Sequence, residues 1–173
     1  MWNIFFWIVL ALFVSAAYAS WRGAPWVPTW KRDLKRIASL ADLKQGDRLV
    51  ELGCGTARVC RYLAKTTPAE TVGVELSVMQ WLWASVLSMT QQRTHIVLGD
   101  AFYHNVSSYN VIYMFLMPET YEKIRDKLVR ELSPGSRVIT YVWPIPGWTP
   151  VRVDKEAGSP DLFEYEIRKT SVK

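Results

Sequence analysis

The hydrophobic positions change their period along the chain. From Trp2 to Ala19 every residue is apolar except Asn3 and Ser15. A helix of that length covers about 27 Å, close to the hydrocarbon thickness of a bilayer. After a proline-rich stretch, Leu34, Ile37, Ala38 and Ala41 fall on one face of a helix predicted over about Trp30 to Ala41, with Thr29 as its cap. Beyond Gly46-Asp47, short apolar runs alternate with helical periods. Strands are predicted at Arg48 to Leu52, Thr71 to Glu75, His95 to Leu98, Asn110 to Phe115 and Arg137 to Val142. Between them lie helices over Ala57 to about Lys65, through about Met89 behind a Ser77 cap, and from Glu119 to Leu132 opened by Pro118. In the last, Tyr121, Ile124, Leu128 and Leu132 step at helical spacing. Val151 to Asp154 and Leu162 to Ile167 read as an antiparallel edge pair.

Alternating strands and helices imply right-handed crossovers and a mainly parallel α/β sheet. In such a sheet a ligand sits beyond the carboxyl ends of the strands, near the switch point. Those ends carry Glu51, Glu75, Asp100 and Phe115, which would share one crevice. The chain then divides into an apolar segment over 1–21, a basic linker with a covering helix over 22–46, and the α/β domain over 47–173. Pro25 and Pro28 make 23–29 a stiff strap lying over that domain. No helix is predicted between the fifth strand and the terminal hairpin, only the loop 143–150.

Charge changes the picture at one end. Arg22, Lys31, Arg32, Lys35 and Arg36 stand against Asp33 alone, a net +4 out of +5 for the whole chain. Basic residues that follow an apolar segment lacking Lys and Arg hold the next domain on the cytoplasmic side or its matrix equivalent. The competing reading is a cleaved signal peptide, with Ala17-Tyr18-Ala19 before Ser20 as its processing site, and the missing basic residues ahead of the apolar run oppose it. Trp21 and Tyr18 would then lie in the interfacial belt. Concentrated basicity suits anionic headgroups better than a nucleic-acid groove. Cys54 and Cys60, with only His95 and His104 elsewhere, support neither a zinc site nor a disulfide framework.

The candidate chemistry centres on Glu51-Leu52-Gly53-Cys54-Gly55-Thr56-Ala57-Arg58. Two glycines after an acidic strand end let backbone N–H groups approach a ligand at a helix N-terminus. Glu75, about 20 residues after Gly55, can accept bonds from two ribose hydroxyls. NAD and S-adenosylmethionine both fit so far. Three details favour the second. Glu51 would attract a methionine ammonium and repel a pyrophosphate. Arg58 stands where a dinucleotide pattern wants glycine, and Asp100 can accept from an adenine amino group.

In this order, Glu51-x-Gly53-x-Gly55-x-Ala57, Glu75 and Gly99-Asp100 resemble the motif series of class I S-adenosylmethionine-dependent methyltransferases. From about Gly23 to Val153 the chain resembles, more narrowly, the membrane-anchored protein-lysine methyltransferases of the mitochondrial ATP synthase c-subunit and the adenine nucleotide carrier. Pro25-Trp26-Val27-Pro28-Thr29, Arg58, Phe115-x-x-Pro118 and Trp143-Pro144-Ile145-Pro146-Gly147-Trp148-Thr149-Pro150 carry that likeness. It implies a Rossmann-like class I methyltransferase fold with a terminal antiparallel hairpin, behind a transmembrane helix. It implies S-adenosylmethionine held by Trp26, Pro28, Thr29, Glu51, Gly53, Cys54, Gly55, Glu75, Leu76, Asp100, Ala101 and Phe115. Phe115, Pro118, Trp143 and Trp148 would form the catalytic wall, where aromatic faces favour a sulfonium and an ammonium.

The implied partners are a bilayer, met through residues 2–20, and a lysine of a membrane protein, with no nucleic acid and no metal. Methylation of a lipid or quinone, or a non-catalytic cofactor-binding subunit, stands beside it. Ala57 replaces the usual third glycine, and Phe115-Leu116-Met117-Pro118 replaces the Asp/Asn-Pro-Pro-aromatic motif of enzymes acting on nucleobase or glutamine nitrogen. Plainer readings exist as well. Glu51 could pair with Arg58 or Arg48, Asp100 could form a turn, and 143–150 could be only a rigid turn. Trp81 and Trp83 cannot share a helix face, so one could cover adenine while the other packs in the core. Tyr113 and Met114 read as core, and His95 and His104 as structural or surface residues.

Overall fold

The computed structural model describes residues 2–168; Met1 and residues 169–173, counted above in the outer two segments, lie outside the described residues. Seven strands form one sheet: β1 (Arg48–Leu52), β2 (Glu70–Glu75), β3 (Thr94–Leu98), β4 (Val111–Met114), β5 (Arg137–Tyr141), β6 (Arg152–Asp154) and β7 (Leu162–Glu166). Their order is β3-β2-β1-β4-β5-β7-β6. β1 to β5 pair in parallel, while β7 runs antiparallel to both β5 and β6. The order reverses between β1 and β4, where a ligand crevice is expected. The α/β class, the parallel sheet and the terminal hairpin therefore form as their hydrophobic periods imply.

The helices are α1 (Trp2–Arg22), α2 (Leu34–Ala41), α3 (Arg58–Thr66), α4 (Val78–Ser88) and α5 (Pro118–Glu131). All four β4 residues are fully buried. Their side chains alternate between two cores. Val111 and Tyr113 join Ile37, Leu40, Val59 and Leu63 under α2 and α3. Ile112 and Met114 join Tyr121, Ile124 and Leu128 under α5. No helix forms between β5 and β6; the proline-rich segment turns there, with the Ile145 N–H donating to the Tyr165 hydroxyl at 2.8 Å.

Two local expectations are corrected. The unit before β1 opens with a 3-10 turn, Lys31–Asp33, and Thr29 does not cap it. The Thr29 side chain is buried and shares a 3.1 Å hydrogen bond with the Tyr113 hydroxyl. Tertiary burial of a polar tyrosine head thus claims the hydroxyl that a helix end would have used. In α4, neither Trp81 nor Trp83 belongs to the core: the fully buried positions are Ala84 and Ser88, and Trp83 is 59 % exposed.

One buried polar cluster ties α2 to the end of the sheet. The Tyr141 hydroxyl donates to Asp33 at 2.6 Å, and Arg36 holds the other carboxylate oxygen at 2.9 Å while also gripping Asp154. Burial alone would raise the Asp33 carboxyl, but the bonds from Tyr141 and Arg36 outweigh it and keep it below its usual value. Removing one donor leaves a buried carboxylate short of a partner, at a cost of roughly 1–3 kcal/mol. Tyr141→Phe is expected to lower unfolding stability by that amount, measured by urea denaturation in detergent, with its slope on denaturant unchanged.

Candidate cofactor site

The glycine loop owes its shape to positions where a side chain does not fit. Gly53 and Gly55 have φ of +76° and +53°, and a Cβ on Gly55 would come within 2.7 Å of Trp26 Nε1. Trp26 of the 23–29 strap therefore lies directly on the loop. Arg58 fastens the same strap, its guanidinium donating to the Thr29 carbonyl at 2.6 Å. Ala57, in the third glycine's place, takes φ +53° and is fully buried. An alanine held there costs roughly 1–2 kcal/mol, so the loop keeps its turn at the expense of some strain.

Gly73, which no motif spacing singles out, matters equally. A Cβ there would meet Cys54 Sγ at 2.7 Å. The bare backbone of β2 lets Cys54 turn inward and its N–H reach the Val74 carbonyl at 3.0 Å. Cys54 thus contributes backbone, while its thiol is buried away from the crevice.

Glu75 closes the loop from the next strand. One carboxylate oxygen accepts the Gly55 N–H at 2.7 Å and the other accepts the Ser77 N–H at 2.8 Å. Burial raises its pKa, and these backbone donors oppose the rise. Glu51 is 5 % exposed and takes the Cys60 N–H at 3.1 Å. Burial pushes its carboxyl up to about 7. Neither arginine named as an alternative partner reaches it: Arg58 holds Thr29, and Arg48 pairs with Glu70. Asp100 splits its oxygens between the Phe102 N–H at 2.8 Å and Arg22 at 3.0 Å. The turn-forming role is therefore real, and it coexists with a place in the crevice.

These residues line one crevice enclosing about 900 Å³, its open mouth included, within the range of small-molecule sites. Trp26, Pro28, Thr29, Glu51, Gly53, Gly55, Glu75, Leu76, Asp100, Ala101 and Phe115 all face it. Trp143 stacks behind Phe115 at 6.1 Å between ring centres. Pro118 and Trp148 stand outside the lining. Pro118 occupies the first turn of α5, and Trp148 packs edge-on against Tyr165 at 5.6 Å. Trp143 follows Val142, whose φ of +75° is strained for a β-branched residue; the kink ends β5 and redirects the chain. Sequence reasoning missed the last turns of α1: Ala16, Ala19, Ser20 and Arg22 form one wall. It also missed Thr120, whose hydroxyl donates to the Gly23 carbonyl at 2.6 Å. Nothing in the apolar run signals a contact with a domain thirty residues further on.

A parallel sheet with its crevice at the switch point, a tight glycine loop and acidic residues on two successive strand ends define a class I S-adenosylmethionine-dependent methyltransferase. The profile of the ANTKMT methyltransferase domain matches residues 51–152, more than half of the chain, and the chain belongs to that family. It is 33 % identical over 135 residues to a protein-lysine N-methyltransferase of Saccharolobus islandicus, covering 76 % of this chain and 84 % of that one. It is 30 % identical to the ATP synthase c-subunit lysine N-methyltransferase of Rattus norvegicus, over 83 % of this chain and 66 % of that one. Among solved structures, an RNA methyltransferase from Salinibacter ruber in complex with S-adenosyl-L-homocysteine superimposes with a TM-score of 0.79 at 28 % identity, covering 83 % and 95 % of the two chains. The cofactor is S-adenosylmethionine, and the site fits it: a buried carboxylate with no ion-pair partner among the described residues faces a loop that only a small or absent side chain allows.

The raised Glu51 carboxyl sets a pH dependence. Its folded pKa lies above the unfolded value, so the native state binds more protons between about 4.5 and about 7, and cofactor-free stability falls as pH rises through that window. Glu51→Gln keeps the shape and removes the charge. At pH 8 the variant is expected to be more stable than the parent by roughly 3 kcal/mol, with the gap closing toward pH 5, as followed by denaturation at each pH. Its affinity for S-adenosylmethionine should fall in calorimetric titration.

Proposed function

We propose that this chain is a membrane-anchored methyltransferase that transfers a methyl group to a lysine of a membrane protein. The observation that carries the reading is the position of α1. It is the one helix among the described residues long and apolar enough to cross a membrane, Asn3–Arg22 with mean hydropathy 2.0, and its last turns are a wall of the cofactor crevice. The transferable methyl therefore lies within one helix end of the anchor. The related enzymes of rat and S. islandicus act, by their names, on lysines, the rat enzyme on a lysine of the ATP synthase c-subunit. The Salinibacter ruber relative is described as an RNA enzyme, but here nearly all excess positive charge sits between Arg22 and Arg36 beside the apolar helix, which does not make a nucleic-acid groove.

When bound, S-adenosylmethionine supplies an electrophilic methyl group on a sulfonium. The protein's work is alignment and desolvation. Glu51 would meet the ammonium of the methionine moiety through the loop, and that positive charge would draw its carboxyl back to the ionised form. Glu75 has lone pairs left for the ribose hydroxyls after holding Gly55 and Ser77. Asp100, with Ala101 and Leu76, borders the adenine end, and Trp26 closes the strap over the loop. Phe115, backed by Trp143, would give an aromatic wall against which an arriving lysine loses its water and passes its proton to solvent or a backbone carbonyl, leaving a neutral amine to take the methyl group. Pro118 and Trp148 shape that wall from behind, by starting α5 and by fixing the 143–150 turn. No side chain is needed as a general base.

Glu75→Ala and Gly53→Arg are expected to abolish transfer and to weaken S-adenosylmethionine binding by at least tenfold, about 1.4 kcal/mol, in calorimetric titration. Unchanged affinity would sink the site assignment. Incubation with methyl-labelled cofactor and native membranes then separates the substrates. Label released as methyl-lysine from a protein band supports the reading, whereas label in the lipid extract, in RNA or in no fraction rejects it.

A further inference from the structure

The amphipathic pattern of α4 is inverted. From Leu76 to Gln92 there is no Asp, Glu, Lys or Arg. The positions α4 buries on the sheet are small, Ala84 and Ser88. The large apolar residues face outward along one stripe: Met79 is 40 % exposed, Leu82 46 %, Trp83 59 %, Val86 59 % and, just past the helix, Met89 80 %. A surface helix that hides alanine and serine and shows methionine, leucine and tryptophan has its apolar side turned toward something other than water.

What lies beside it says what that is. α1 packs against α4, and the Ser15 hydroxyl accepts the Val78 N–H at the first turn of α4, at 3.0 Å. Ser15 is in the middle of the apolar helix, seven residues before Arg22, about 10 Å along its axis at 1.5 Å per residue. Interfacial helices bury their apolar face some 5–10 Å into the boundary between headgroups and acyl chains. If α1 enters a bilayer with Arg22 at the headgroups, α4 is carried to that depth. Tyr103, 80 % exposed, stands next to Arg22, whose guanidinium lies 5.9 Å from its ring. An arginine and a tyrosine thus mark the same level.

We infer that the outer stripe of α4 is a second membrane contact, lying in the bilayer interface beside α1, so that the methyltransferase domain is partly sunk into the membrane. The inference rests on the anchored reading above and deepens it. Ser77 and Gln80, at the start of α4, line the cofactor crevice together with Ala19, Ser20 and Arg22. Sinking α4 therefore holds the mouth of the crevice at headgroup level. The substrate lysine is then one displayed at the membrane surface, and lysines farther out on a soluble domain are out of reach.

The test uses the full chain in liposomes, with nitroxide labels on cysteines introduced one at a time. Leu10→Cys reports on α1, Met79→Cys and Val86→Cys on α4, and Lys123→Cys on the exposed face of α5. Native Cys54 and Cys60 are buried and do not compete. Retained S-adenosylmethionine binding confirms that each variant is folded. The expected result is that the labels at 79 and 86 lose access to a water-soluble nickel complex and keep access to oxygen, as the label at 10 does, while the label at 123 stays open to nickel. Nickel access at 79 and 86 with protection at 10 overturns the inference and leaves the anchor standing. Nickel access at 10 overturns the anchored reading and the inference with it. Exclusion of both reagents at 79 and 86, with dipolar broadening between labels, also overturns it, because a second copy of the chain then covers the stripe.

Discussion

Two carboxylates buried side by side at the carboxyl ends of neighbouring strands set the terms for the rest of the molecule. Glu51 is the one acidic residue of the apolar strand β1 and Glu75 closes β2, and neither forms an ion pair among the described residues. A buried carboxylate is tolerated when donors surround it. Here the donors are backbone N–H groups of Gly55, Ser77 and Cys60. Satisfying them forces the loop into positive φ, turns Cys54 against bare Gly73 and brings the start of α3 under Glu51. Both carboxylates also line the crevice, and in the reading proposed above their remaining lone pairs meet the cationic sulfonium cofactor and its ammonium group.

The same crevice is finished by segments far from the sheet. The strap at 23–29 lies over the loop because Trp26 packs on Gly55 and Arg58 holds Thr29. Arg22 reaches Asp100, and Thr120 holds Gly23. The apolar helix is in this way built into the cofactor site rather than tethered to it by a free linker. Its basic end meets Phe102 and Tyr103 through Arg22, and its middle packs on α4, where Ser15 accepts the Val78 N–H. In the anchored reading proposed above, catalysis and membrane contact share a wall, which ties the choice of substrate to where the domain sits.

Much of this was legible from period and spacing. Strands β1 to β5 and helices α3 and α5 follow from short apolar runs and a step of three and four. The placing of Glu51, Glu75, Asp100 and Phe115 at one edge follows from topology alone. The expectations that shifted concern residues with two uses. Thr29 can cap a helix or satisfy a buried tyrosine, and only the position of Tyr113 decides. Trp148 and Trp143 sit five apart in one proline-rich run, and a strained Val142 and the Tyr165 ring determine which of them reaches Phe115.

Local pattern alone dictated the order of strands and helices, the glycine loop and its acidic flanks, and the apolar helix with basic residues behind it. Each is written in neighbours along the chain, and local periodicity and backbone conformation depend on little else. The packed fold was needed to bring α1 back as a wall of the crevice, to make room for Cys54 at Gly73, and to turn the large apolar residues of α4 away from the sheet. Those outcomes depend on which surfaces meet across tens of residues, and an apolar residue reads the same in a sequence whether a core, a ligand or a membrane covers it.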